Sequence, residues 1–115
     1  MEYNRYVEVL YKEPYKNPKR IKIINTLEEM QRVVGGCIDV IRYDDAFIIC
    51  NKFGKKENLE PNVLLKNNTI YGSFFIIGDD YKRADFISLT EEQISRYINE
   101  LEYESQIEYE MEEFT

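Results

Sequence analysis

The sequence predicts an α+β fold, a single small domain with two helices on a mixed or antiparallel sheet of about five strands, in the order ββαβββα. Three observations lead there. Short apolar or alternating runs recur between Arg5 and Leu89, capping boxes at Thr26 and Thr90 open helically spaced segments, and Gly, Pro, Asn and Asp punctuate the stretches between them. At 115 residues the chain can bury one modest core but not two.

Arg5 to Tyr11, RYVEVLY, alternates as a strand should and stops before Pro14 and Pro18, which cannot donate to a ladder. RIKII, Arg20 to Ile24, is the second strand. Between and around them Lys12, Lys16, Lys19, Arg20 and Lys22 form a basic cluster that could meet phosphates, although Glu8 and Glu13 flank it and suit a solvated hairpin loop. Thr26 with Glu29 then caps a helix of about nine residues whose apolar face is Leu27, Met30, Val33 and Val34; it is short enough to need packing. Gly35 and Gly36 end it, since the position past a helix terminus favours positive φ.

CIDVIRY and AFIIC follow as a hairpin around the turn residues Asp44 and Asp45. In that register Cys37 pairs beyond Cys50, so the two cysteines are expected to be free thiols. NKFGKKENLEPNVLLKNN reads as a long loop, which makes Asn51, Gly54 and Asn62 candidates to line a pocket. TIYGSFFIIG, Thr69 to Gly78, is the most apolar run and the expected central strand, with Gly72 at a bulge or close approach. Residues 78–81 are expected to turn the chain. The Asp pairs at 44–45 and 79–80 lack the spacing of a calcium loop. Phe86 to Leu89 leads into Thr90, whose box partner is Gln93 and across which Leu89 and Ile94 form a staple. Ile94, Tyr97, Ile98 and Leu101 have the spacing of one buried helical face.

Beyond Leu101 the apolar residues alternate with Glu or Gln, which is strand period. If the helix continues instead, Glu100, Glu104, Glu108 and Glu112 form a ridge with carboxylates about 6 Å apart along the axis. Either geometry sets a row of negative charge beside Tyr103 and Tyr109. The net charge of −7 comes from this segment. Seven of the 22 acidic residues lie in residues 97–115, which hold no Lys or Arg, while the remaining 15 balance the 15 basic ones. The division expected is a core over residues 1–98 and an acidic extension over 99–115. Such a block attracts a basic protein face and repels nucleic acid.

No catalytic motif, phosphate loop or dinucleotide fingerprint is present, and the chain has no histidine. The expectation is a protein without catalytic residues, metal or cofactor. With no apolar run of membrane-spanning length and no signal-like start, a cytoplasmic location is expected. Ten tyrosines, rigid with a polar tip, suit contact surfaces.

The blocks TLEEMQRVVGGCIDVI, FIICNKFG, LEPNVLL, IYGSFFIIGDD and FISLTEEQI resemble a small domain-of-unknown-function family found in phages, plasmids and other mobile elements of Gram-positive bacteria. The resemblance rests on Gly35-Gly36 followed by Asp39, Asn51 with Gly54, Asn62 and Gly72. It covers most of residues 5–98 and leaves the acidic extension outside. It implies a mobile-element accessory protein, for which two readings follow. One is an inhibitor of a host defence protein with a basic surface, such as a CRISPR effector or restriction enzyme, bound through Glu100, Glu102, Glu104, Glu108, Glu110, Glu112 and Glu113 with Tyr103 and Tyr109 as anchors. The other is an oligomeric sponge that sequesters a nucleotide signal, using Gly35, Gly36, Asn51, Asn62 and Gly72 with Lys55 or Arg42. A structural or regulatory phage protein is a third.

Overall fold

The computed structural model describes residues 5–65 and 67–113, and from 103 onward the backbone alone. Its elements are β1 (Tyr6–Lys12), β2 (Lys19–Ile24), α1 (Leu27–Val34), β3 (Ile38–Tyr43), β4 (Ala46–Asn51), β5 (Pro61–Leu65), β6 (Asn68–Tyr71), β7 (Phe74–Asp80), β8 (Asp85–Ile87) and α2 (Glu91–Glu113). The main sheet runs β2-β1-β7-β4-β3, with β8 also paired to β7, and β5 and β6 form a separate two-stranded sheet. Every pairing is antiparallel. The fold is therefore α+β with two helices, as the sequence predicts, and with more strands.

β7 is central because it is apolar on both faces. Phe74 and Ile76 point to one side and join Leu10, Ile48, Val63, Ile70, Ile94, Tyr97 and Leu101; Phe75 and Ile77 point to the other and join Val9, Ile23, Met30 and Val34. So α2 and the β5–β6 hairpin close one face, and α1 closes the other. Each buried Leu, Ile or Phe contributes about 1.5–3 kcal/mol.

The helix ends follow the local chemistry. At Thr90 the box is reciprocal: the Gln93 amide donates to Thr90 Oγ1 at 3.1 Å and the Thr90 amide to Gln93 Oε1 at 2.9 Å. At Thr26 only the hydroxyl does its part, accepting from the Glu29 amide at 3.2 Å. The Glu29 carboxylate turns instead to Arg32 and the Ile24 amide, and the Arg32 bond holds it below the usual carboxylate range. α1 closes on Gly35 at φ 80°. In the β3–β4 hairpin Ile38 faces Asn51, and the Lys52 amide donates to the Cys37 carbonyl, so Cys37 does lie opposite a position past Cys50. Both thiols are free.

Three expectations need correction. The stretch 51–68 is not one long loop: a turn over residues 52–58 leads into the β5–β6 hairpin. A register shift between Pro61 and Val63 buries Asn62 and Val63 in succession, which erases the period of two that marks a strand. Residues 69–78 are not one strand. Gly72 sits at φ 80°, and a Cβ there would meet Leu59 Cδ1 at 2.8 Å; the chain turns at this corner from β6 in the small sheet to β7 in the large one. Finally Gly78, Asp79 and Asp80 belong to β7, and residues 81–84 make the turn into β8. No described helix is long and apolar enough to cross a membrane.

Candidate functional site

The acidic segment begins where α2 is most firmly held. Ile94, Tyr97 and Leu101 are buried on one helical face, and the neighbouring turn of β3–β4 supplies Asp45. Arg96 Nη2 donates to both oxygens of Asp45, at 2.8 and 2.7 Å, and the Tyr97 hydroxyl donates to the same carboxylate. Burial alone would raise the Asp45 carboxyl, but the bonds from Tyr97 and Arg96 hold it down at about 2. Burial, with Asp45 beside it, pushes the Tyr97 phenol up, so this tie stays intact at neutral pH. Tyr43 packs its ring 5.5 Å from that of Tyr97 and donates its hydroxyl to Glu100 at 2.8 Å. Glu100, first of the seven glutamates, is thus part of the fold.

Glu102 is exposed. The backbone then stays helical to Glu113, so the strand period beyond Leu101 does not produce a strand. Helical spacing strings Glu100, Glu104, Glu108 and Glu112 at one-turn intervals. The last turn has no basic residue, although a helix C-terminus carries partial negative charge and is stabilised by cations. Glu104, Glu108, Glu110, Glu112 and Glu113, with Tyr103 and Tyr109, lie outside the described side chains.

Elsewhere the body neutralises its own charges. Arg20 binds Glu8 and Glu91, Arg42 binds Asp79, Arg5 binds Asp85, and Lys16 and Lys19 lie within 4 Å of Glu13. The basic cluster of the first hairpin is therefore largely committed. Lys12 is buried, its Nζ donating to the Glu13 carbonyl and to Asn62 Oδ1, both at 2.9 Å. Strand alternation places Lys12 beside Leu10 and could have signalled that burial.

The residues expected to form a ligand pocket do not converge. The Gly35 and Gly36 amides both donate to the Gln31 carbonyl, and the Gly72 amide to the Glu60 carbonyl at 2.7 Å, so their N–H groups are already used. Asn62 donates to the carbonyls of Lys12 and Gly72, tying β1 to the corner before β7. Asn51 accepts from the Phe53 amide and donates to the Val34 carbonyl, joining the end of α1 to the 52–58 turn. Gly36 packs against Asn51, where a Cβ would lie 3.0 Å from Nδ2. Arg42 stacks over Phe47 on the opposite face, 4.2 Å from the ring centre, while Gly35 is exposed.

Asn51 and Lys55 do line a cleft of about 380 Å³, together with Asp39, Ile41, Cys50, Lys52, Gly54 and β6. Gly54 sets its edge, because a Cβ there would come within 2.8 Å of the Tyr71 carbonyl oxygen. Burial, and secondarily Asp39, push the Cys50 thiol up to about 11, which leaves it protonated and unreactive at neutral pH. Among the described residues no group of three or more His, Cys, Asp or Glu could hold a metal ion.

The model of a family described as a domain of unknown function, DUF3846, matches residues 7–102, and the chain belongs to that family. No curated protein and no solved structure matches it. The match ends at Glu102, so Glu104, Glu108, Glu110, Glu112 and Glu113 lie past it, and Glu100 and Glu102 within it.

Proposed function

We propose that this is a non-enzymatic accessory protein of a phage or other mobile element that inhibits a bacterial defence protein in the host cytoplasm. It docks the acidic half of α2 on the surface that a CRISPR effector or restriction enzyme uses to hold nucleic acid. One observation carries this reading: a body whose charges nearly balance, joined through the firmly seated half of α2 to residues 102–115, which hold six glutamates and no cation. Like charges at i, i+4 destabilise a helix by a few tenths of a kcal/mol per pair, so a Lys- and Arg-rich partner stabilises the segment as it binds. A helix bearing carboxylates at one-turn intervals presents a row of negative charge to a groove built for phosphates. The lack of histidine and the protonated state of the Cys50 thiol favour binding over catalysis.

The test is interference with an effector. Purified protein is added to nuclease assays on a panel of restriction enzymes and CRISPR effectors, alongside a variant lacking residues 102–115. The full chain should block nucleic-acid binding by its target, the truncated chain should fold and fail to block, and inhibition should weaken steeply as salt rises. Equal inhibition by the truncated chain refutes the proposal.

A further inference from the structure

The cleft between the β3–β4 hairpin and β6 has features that the docking of α2 does not use. Its volume of about 380 Å³ falls in the range of small-molecule sites, which run from about 300 to 1,000 Å³. Its apolar part is made by Ile41, Cys50 and Ile70, two of them buried in the core and all three on the face closed by α2. These side chains are held from behind, so the floor is preformed.

No ion pair among the described residues engages the charges around that floor, although Lys52 Nζ lies 5.7 Å from the centre of the Phe53 ring. Lys52 and Lys55 are exposed, and neither has an ion-pair partner among the described residues, in contrast to Arg20, Arg42 and Arg96. Asp39, which faces Cys50 across the β3–β4 ladder, likewise lacks one. The cleft thus carries two ammonium groups and one carboxylate that do not neutralise each other. A ligand that satisfies both must combine an anionic group with hydrogen-bond donors on a body flat enough to lie against Ile41 and Ile70. Asn51 shapes the wall and is not assigned to the ligand, since its amide is already engaged by Val34 and Phe53.

We propose that this cleft binds a nucleoside monophosphate, its phosphate at Lys52 and Lys55, its ring over Ile41 and Ile70, and an amino or hydroxyl donor at Asp39. The site is independent of the acidic helix, and removal of residues 102–115 leaves it intact.

Amide chemical-shift titrations with AMP, GMP, CMP and UMP, with adenosine and inorganic phosphate as controls, test this directly. At least one nucleotide should give saturable shifts confined to residues 39–41, 50–55 and 68–71, with affinity about tenfold or more above both controls, because phosphate and ring are held together. The double variant K52E/K55E should weaken binding about tenfold or more, whereas K22E/K82E, an equal charge change on two distant surface lysines, should stay within about twofold. Thr69→Trp fills the cleft without altering any charge and should abolish the shifts while leaving the melting temperature in place. The proposal is overturned by the absence of saturation at millimolar nucleotide, by shifts scattered over Lys16, Lys22 and Lys82, by inorganic phosphate binding as well as the nucleotide, or by undiminished binding to the Thr69→Trp variant.

Discussion

The two halves of α2 follow different rules. From Thr90 to Leu101 the sequence serves the fold: a reciprocal cap at the start, a buried face of Ile94, Tyr97 and Leu101, and Arg96 and Tyr97 converging on Asp45. From Glu102 to Glu113 the glutamates repeat at helical spacing and the last turn carries no counter-charge. A helix selected for stability alone would end in Lys or Arg. On our proposal the contrast marks where the demands of the core stop and those of a partner begin.

The sharpest way to break that contrast is to cut on each side of it. Tyr97→Ala should cost about 3–5 kcal/mol and Leu101→Ala about 2–5 kcal/mol in urea denaturation, since both side chains are fully buried. Removing residues 102–115 should shift stability by less than about 1 kcal/mol. A large loss on truncation would mean that the acidic half is structural after all.

A second measurement sharpens the tie at the packed end. Asp45→Asn removes a charge that Arg96 and Tyr97 hold, at a site partly open to solvent, and should cost about 1 kcal/mol at neutral pH. The Asp45 carboxyl titrates at about 2 in the fold, below its ordinary value near 3.9, so its contribution is full above that ordinary value and is lost as pH falls through 2. Denaturation of the two proteins should therefore converge between about pH 4 and pH 2. A gap that stays constant across this window would remove Asp45 as its source.

Smaller effects separate the two caps. Thr90→Ala should cost about 1 kcal/mol, and Thr26→Ala less, because at Thr26 the Glu29 carboxylate serves Ile24 and Arg32 and loses nothing when the hydroxyl goes. The smallest effect is expected in the acidic half. Replacing Glu104, Glu108 and Glu112 with Gln relieves like-charge repulsion and should raise helicity by circular dichroism by an amount worth a few tenths of a kcal/mol per pair. On the proposed function the same changes weaken partner binding.

Both helices were legible because caps are local chemistry, decided within four residues. The β3–β4 hairpin was legible for the same reason: Asp44 and Asp45 set the turn, and the turn sets the register that carries Cys37 past Cys50. The β5–β6 hairpin was hidden, since the shift at Pro61–Val63 breaks alternation. An apolar run from Thr69 to Gly78 says that strands are present but not that Gly72 sends them into different sheets. The charge asymmetry of α2 needed only counting. The pocket residues misled where hydrogen bonding is tertiary, as for Asn62 with Lys12 and Gly72. For Gly35 and Gly36, however, the helix end itself claims their amides, which the same capping rule that predicted the glycines implies.

The proposed function requires residues 102–115 to make the contact. The most direct measurement is affinity capture from a bacterial lysate with the full chain and with the chain truncated after Leu101, each at low and high salt and each with duplex DNA as competitor. We expect the full chain to retain a nucleic-acid-binding defence protein that high salt or DNA releases, and the truncated chain to retain none. Equal retention by the truncated chain, or retention that neither salt nor DNA disturbs, would contradict it.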